Sequence, residues 1–156
     1  MITLQKPGKP KGPVKNLRPV TQLDTICKSL SLTVFQRIRH KVELYLSPNQ
    51  SGFRPCRSTA DVVWTHKWLA AKIQKEKIKL NLTGIDMSAA FDTVDRQKLL
   101  NILESIVDED ELRMIRFLLS NTTINIKIYG ATEQHPFQSN IGIPQGDGLS
   151  PVLFII

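Results

Sequence analysis

The stretch IKLNLT, Ile78 to Thr83, runs directly into GIDMSAAFDTVD, Gly84 to Asp95. Ile78, Leu80 and Leu82 alternate with Lys79, Asn81 and Thr83, and that period of two predicts a β-strand continuing into Ile85 and Asp86. An apolar strand with a carboxylate at its end suits magnesium, a hard ion that takes oxygen ligands and keeps substrate phosphates in its shell. Asp86 is the candidate ligand; the competing reading is a carboxylate that caps the following turn. By strict alternation Asp86 falls on the face of Leu80 and Leu82, so the strand needs either a bulge at Gly84 or a face that meets a cleft only at its end.

Upstream, KPGKPKGPVKN, Lys6 to Asn16, mixes Pro, Gly and Lys and predicts an extended basic loop. From Leu23, apolar residues recur at Ile26, Cys27, Leu30, Val34, Ile38, Val42 and Tyr45, the spacing of one helix face, with an end near Ser47-Pro48. SPNQSGFRPCRS, Ser47 to Ser58, then reads as a loop. A helix follows from about Thr59 to Lys75, its Trp64 and Trp68 expected in a core.

Downstream, a helix from about Val94 is expected to bury Leu99, Leu103 and Ile106, and a second from Glu109 to bury Leu112, Ile115 and Leu118 or Leu119. Asn121 to Tyr129 predicts a strand turned by Gly130, with a weaker strand near Phe137 to Ile141. IPQGDGLSP then leads into apolar Val152 to Ile156, a segment expected to stand exposed unless something further covers it. Helices and strands interleave without strict alternation, which gives an α+β class, and 156 residues suffice for one core.

The net charge of +7 is unevenly distributed: residues 1–41 hold nine of the 21 basic residues and one of the 14 acids, so they carry +8 and the remainder −1. A basic leading segment on a neutral body predicts phosphate contact, against a solvated tail as the alternative. Cys27 and Cys56 are too few for a disulfide framework, and no spacing suggests zinc. No apolar run is long enough for a membrane span or signal core, so an intracellular chain, cytoplasmic or nuclear and not secreted, is expected.

Five segments in order give a more specific reading: NLRPV at 16–20, QSGFRPCRST at 50–59, GIDMSAAFDTVD, the strand pair after 121, and GIPQGDGLSPVLF at 142–154. Together they resemble a reverse transcriptase of the non-LTR retrotransposon kind, over most of the chain from Lys6 to Ile156. Group II intron-type enzymes share the RPV-like, GFRP and PQG segments. The resemblance implies right-hand polymerase fingers at about 1–77 and the first part of a palm at about 78–156. It also implies an RNA-directed DNA polymerase that extends a DNA primer on an RNA template with deoxynucleoside triphosphates and, in the complete enzyme, two Mg2+ ions.

By the same resemblance, Asp86 is the first metal-binding aspartate and the Met87 carbonyl a further ligand. Phe91 is the ring beneath the incoming sugar, which leaves no space for a 2′-hydroxyl. Arg18 holds the triphosphate, a task that suits a guanidinium able to donate two parallel hydrogen bonds. One of Lys6, Lys9 or Lys11 assists, and Lys15 belongs to the same basic segment. Gln145 and Gly146 lie against the incoming nucleotide and its template base, Gly146 by allowing close backbone approach. For Arg54 and Arg57, template or primer contact and loop anchoring both remain open, and Asp92 reads as support for its turn.

The sequence departs from the family pattern at several positions. Cys56 stands where glycine is usual, which would strain a turn wanting positive φ. Ala89 replaces a frequent basic residue, and Gln22 to Asp24 replaces a more apolar stretch. The family's Asp-Asp hairpin does not occur after Gln145, where Asp147 is the last acid. The expectation is therefore a fragment, inactive by itself, of a longer polymerase; the alternative is a non-catalytic remnant that only binds nucleic acid.

Overall fold

Packing is organised around one long helix, α1, Thr25–Tyr45, whose start is capped by the Asp24 carboxylate accepting from the Cys27 N–H at 2.8 Å. Ser31, Val34, Ile38 and Val42, three and four residues apart, form its buried stripe. The stripe is shorter than the expected face, since Ile26 is 81% exposed and Tyr45 also faces outward. Against it pack α4, Glu109–Leu119, and the short α5, Ser150–Phe154; α3, Arg96–Leu103, lies on α4. Leu99, Leu103, Leu112, Ile115, Leu119, Leu149 and Leu153 are among the residues that join that stripe in the core. Each such side chain contributes about 1.5 to 3 kcal/mol by leaving water. Ile106, expected inside, is only partly buried, and Leu100 takes a core place beside Leu99.

The computed structural model describes residues 1–120, 122–128, 131–132 and 136–156. Its strands form three antiparallel pairs: β1, Ile2–Gln5, with β2, Leu17–Val20; β3, Thr122–Ile124, with β6, Phe137–Ser139; and β4, Lys127–Ile128, with β5, Ala131–Thr132. The architecture is thus α+β. The strand expected over 121–129 is divided, because β3 and β4 pair with different partners, and Asn121, Tyr129 and Gly130 lie outside the described residues. No helix among the described residues is long and apolar enough to cross a membrane.

Three expectations are corrected. Residues 78–87 form no strand, and Ile78, Leu80, Leu82 and Ile85 are exposed. Alternation is necessary for a half-buried strand but does not supply the neighbouring strand whose main chain completes it, and no described strand lies alongside. The second helix, α2, Thr59–Glu76, appears where its sequence predicts, but it buries nothing. Trp64 and Trp68 are therefore outside the core, with Lys72 Nζ 5.2 Å from the Trp68 ring. Local signals suffice for this helix: a capping box of Ser58 with Asp61 starts it, and Lys77 in the left-handed conformation ends it. Finally, Val152 and Leu153 are buried in the core, with α5 against α1, and Ile156 is partly covered, so the apolar segment after 151 does not stand exposed.

Two carboxylates are buried among the described residues, Asp147 and, more deeply, Glu111. Glu111, 3% exposed, is held by Lys41 Nζ at 2.7 Å, Arg37 Nε at 3.4 Å and the Asp108 N–H at 3.1 Å. Burial pushes its carboxyl up, but the Lys41 ammonium and the Asp108 N–H outweigh that and leave it below the ordinary glutamate value. A depressed carboxyl adds stability that is complete above the unfolded-state value and disappears as pH falls through the folded one. Glu111→Ala is expected to lower stability by about 2 kcal/mol at neutral pH, with the gap to wild type closing on acidification below the carboxylate range, as read by urea unfolding at several pH values.

Candidate functional site

GIPQG, Gly142 to Gly146, is the meeting point of the sequence motifs. The Gly142 N–H donates to the Val94 carbonyl at 2.8 Å and the Ile143 N–H to the Phe91 carbonyl at 2.9 Å, tying the loop to the AFD turn. On its other side the Thr21 N–H, just beyond β2, donates to the Gln145 carbonyl at 2.7 Å. Both glycines are required by this closeness. At Gly142, φ is +79°, and a Cβ would lie 2.7 Å from the Asp92 carbonyl oxygen; at Gly146, φ is +115°, and a Cβ would lie 2.8 Å from the Thr21 carbonyl oxygen. Sequence reasoning anticipated close approach at Gly146 but not at Gly142.

Between these segments opens a cavity of about 300 Å³, lined among others by Pro19, Thr21, Asp92, Ile143, Pro144 and Gln145. Arg96 closes one side. Its guanidinium donates to the carbonyls of Gly142, Leu119 and Ser139 at 2.6–2.7 Å, so α3, the end of α4, β6 and the PQG loop share one cation. Burial pushes its pKa below the ordinary guanidinium value. An arginine in the first turn of a helix opposes the helix dipole, and that local misfit was the available sign of a tertiary partner.

Phe91 is stacked on Phe154 of α5, with ring centres 4.8 Å apart and 17° between planes. Phe53 meets both edge-on, at 6.1 Å from Phe91 and 6.5 Å from Phe154. The GFRP loop thus reaches the AFD turn and the helix after PQG through aromatic contact. Within that loop Phe53 and Cys56 have φ of +56° and +57°, left-handed values that cost side-chain-bearing residues about 1 to 3 kcal/mol each. The strain foreseen at Cys56 is present. It is held in place by Arg54, whose guanidinium grips both Glu43 carboxylate oxygens and donates to the Ser47 and Gln50 carbonyls at 2.6 and 3.1 Å. Of the two roles left open for Arg54, anchoring is the one its contacts display. Arg57 is exposed.

The remaining predicted residues lie around this junction. Arg18 is exposed on β2 opposite Leu4, and shares its strand face with Val20, whose Cγ1 is 3.2 Å from where a Gly146 Cβ would stand. Lys6 and Lys15 close the basic loop, Lys6 Nζ donating to the Lys15 carbonyl at 2.8 Å and the Lys6 N–H to the Asn16 carbonyl at 2.8 Å, while Lys9 and Lys11 are exposed along it. Asp86 and Met87 are exposed on the irregular segment and do not line the cavity. The Asp86 carboxylate and Met87 carbonyl suit a hard divalent cation as two oxygen donors, and no group of three or more His, Cys, Asp or Glu is gathered among the described residues. Asp92 supports its turn through the main chain, its N–H donating to the Ala89 carbonyl at 2.9 Å, with Ala89 at φ +51°. Asp147 is buried and accepts from Ser31 Oγ at 2.9 Å, a packing role.

Comparison with known proteins agrees with this convergence of motifs. The chain is 27% identical over 153 residues, 97% of its length, to the retrovirus-related Pol polyprotein from type-1 retrotransposable element R2 of Popillia japonica. It is 24% identical over 160 residues to a probable RNA-directed DNA polymerase from transposon BS of Drosophila melanogaster, and 25% identical over 158 residues to the RNA-directed DNA polymerase from mobile element jockey of Drosophila funebris, each match taking in the whole chain. It spans 21%, 17% and 17% of these three relatives. The family model described as reverse transcriptase (RNA-dependent DNA polymerase) matches residues 4–156, and the chain belongs to that family.

Proposed function

We propose that residues 1–77 and 78–156, in round bounds, are the fingers and the first part of the palm of an RNA-directed DNA polymerase of a non-LTR retrotransposon, with the incoming deoxynucleotide bound at the PQG junction. The observation that carries this reading is the double attachment of the PQG loop, to Thr21 beyond NLRPV and to Phe91 and Val94 in the AFD turn. Three segments far apart in sequence meet in one cavity, which Gln145 lines, while Phe91 and Arg18 stand outside its lining on the neighbouring AFD turn and β2; together the three groups suit the parts of a nucleotide. The Gln145 amide offers both donors and an acceptor to a base pair, Phe91 packs beneath the sugar, and Arg18 neutralises the triphosphate. Asp86 and the Met87 carbonyl would hold Mg2+, which supplies charge compensation to the phosphates when bound. Lys6, Lys9, Lys11 and Lys15 lie on a basic loop suited to the phosphates of RNA template and DNA primer, with Arg57 nearby in sequence to the GFRP motif.

In the reaction this implies, the primer 3′-oxygen attacks the α-phosphorus and the bond to pyrophosphate breaks. Arg18 acts by position and charge rather than by proton transfer. Arg18→Ala, in the natural polypeptide that carries these residues, is expected to raise the KM for nucleotide about thirtyfold or more while leaving that for primer-template nearly unchanged, measured by steady-state primer extension. An unchanged nucleotide KM removes Arg18 from the role.

Asp86→Asn in the same polypeptide is expected to abolish extension and to preserve primer-template affinity in a filter-binding assay. Among the described residues no group of three or more His, Cys, Asp or Glu gathers at Asp86, and residues 1–156 by themselves are expected to extend no primer. Metal-dependent extension by residues 1–156 would show that the catalytic carboxylates lie elsewhere.

Replacing Lys6, Lys9, Lys11 and Lys15 by Gln is expected to flatten the salt dependence of single-strand binding, by about 0.7 in log–log slope for each phosphate no longer neutralised, in titrations at several salt concentrations. An unmoved slope means the loop is solvated and does not touch phosphate.

A further inference from the structure

We propose that Phe53 is a positioning residue for the Phe91 ring, and that through it the GFRP loop sets how strictly the site rejects a ribose 2′-hydroxyl. The inference rests on the reading of Phe91 as the sugar gate and adds to it the element that keeps the gate shut. A steric filter works by a clash, and a clash exists only while the blocking ring is prevented from moving aside. Phe91 is only partly buried, so the protein interior alone does not fix it.

Two rings do. Phe154 covers one face, and Phe53, from a different segment, stands perpendicular beside the stacked pair, at 85° to Phe91 and 88° to Phe154. Stacking alone permits a ring to slide in its own plane; an edge-on neighbour on a second element blocks that motion. Phe53 itself is more than half exposed and sits at a left-handed φ of +56°. Neither burial nor backbone preference places it there. The bracing comes from the next residue: Arg54 is gripped by Glu43 of α1 and by the carbonyls of Ser47 and Gln50, and this pins the loop so that Phe53 faces Phe91. Local strain held at a site by surrounding contacts is the pattern expected of a positioned group. The chain of support therefore runs from Glu43 through Arg54 and Phe53 to the gate ring.

The test uses the natural polypeptide that carries residues 1–156 and compares deoxynucleotide with ribonucleotide incorporation on an RNA template. Phe53→Gly removes the ring while accepting the left-handed φ without penalty, so its effect reports the ring rather than a collapsed loop. It is expected to lower the ratio of the two kcat/KM values about tenfold, with Phe91 unaltered. Phe53→Tyr should restore the ratio, and Arg54→Lys, which keeps the charge but loses the fork, should lower it in the same direction. Deoxynucleotide and ribonucleotide efficiencies that fall in equal proportion would overturn the proposal, as would an Arg54→Lys protein with wild-type discrimination. Fluorine NMR of 4-fluorophenylalanine placed at Phe91 gives a readout independent of activity: Phe53→Gly should shift and broaden its line. A line unmoved by that substitution overturns the contact itself. A wild-type polypeptide that extends no primer, with the line responding as expected, overturns the sugar-discrimination role through the polymerase reading and leaves the ring support standing.

Discussion

The arrangement depends on a main chain that passes too close to its neighbours to carry side chains. Gly142 and Gly146 each lie where a Cβ would come within 3 Å of another backbone, one at the AFD turn and the other just past β2. The hydrogen bonds at Thr21, Phe91 and Val94 can form only because of that approach. Any larger residue at either position, strained in addition by positive φ, would separate the loop from one of its two supports and dissolve the cavity between them.

Arginines divide into two uses around this point. Arg96 and Arg54 are consumed as anchors, Arg96 by the carbonyls of Leu119, Ser139, Ile141 and Gly142 and Arg54 by the Glu43 carboxylate and two carbonyls of its own loop. Arg18 and Arg57 stand exposed. A planar cation with five donors is an effective staple where several carbonyls converge, and the same geometry suits phosphate when left free. Residue type alone therefore does not separate scaffold from ligand contact; the surrounding acceptors do.

Legibility in the sequence followed the range of the forces involved. Helices α1, α2 and α4 were readable almost to the residue because apolar periodicity acts within a few positions, and the caps that start them, Asp24, Ser58 with Asp61, and Asp108 with Glu111, are equally local. The order of motifs gave the family, and Cys56 announced its own strain. What could not be read were partners. Alternation over Ile78 to Leu82 says that a strand is possible and nothing about a neighbour to pair with; the tryptophans of α2 look like core until no surface is found to cover them. Arg96, Glu111 and the Phe53–Phe154 contacts join residues tens of positions apart, and no local pattern encodes such meetings.

The basic loop is closed on itself. Lys6 bonds across to Lys15 and Asn16, and the Asn16 amide donates to the Pro10 carbonyl at 2.8 Å. Its ends are thus fixed by the β1–β2 hairpin, and Gln5 and Asn16 tie its middle at Pro10. Because the entropy of closing a loop grows only with the logarithm of its length, doubling the span would cost about 0.6 kcal/mol. This segment can therefore lengthen, shorten or change its charge with little effect on folding, while Arg18, on the strand beyond, stays in register.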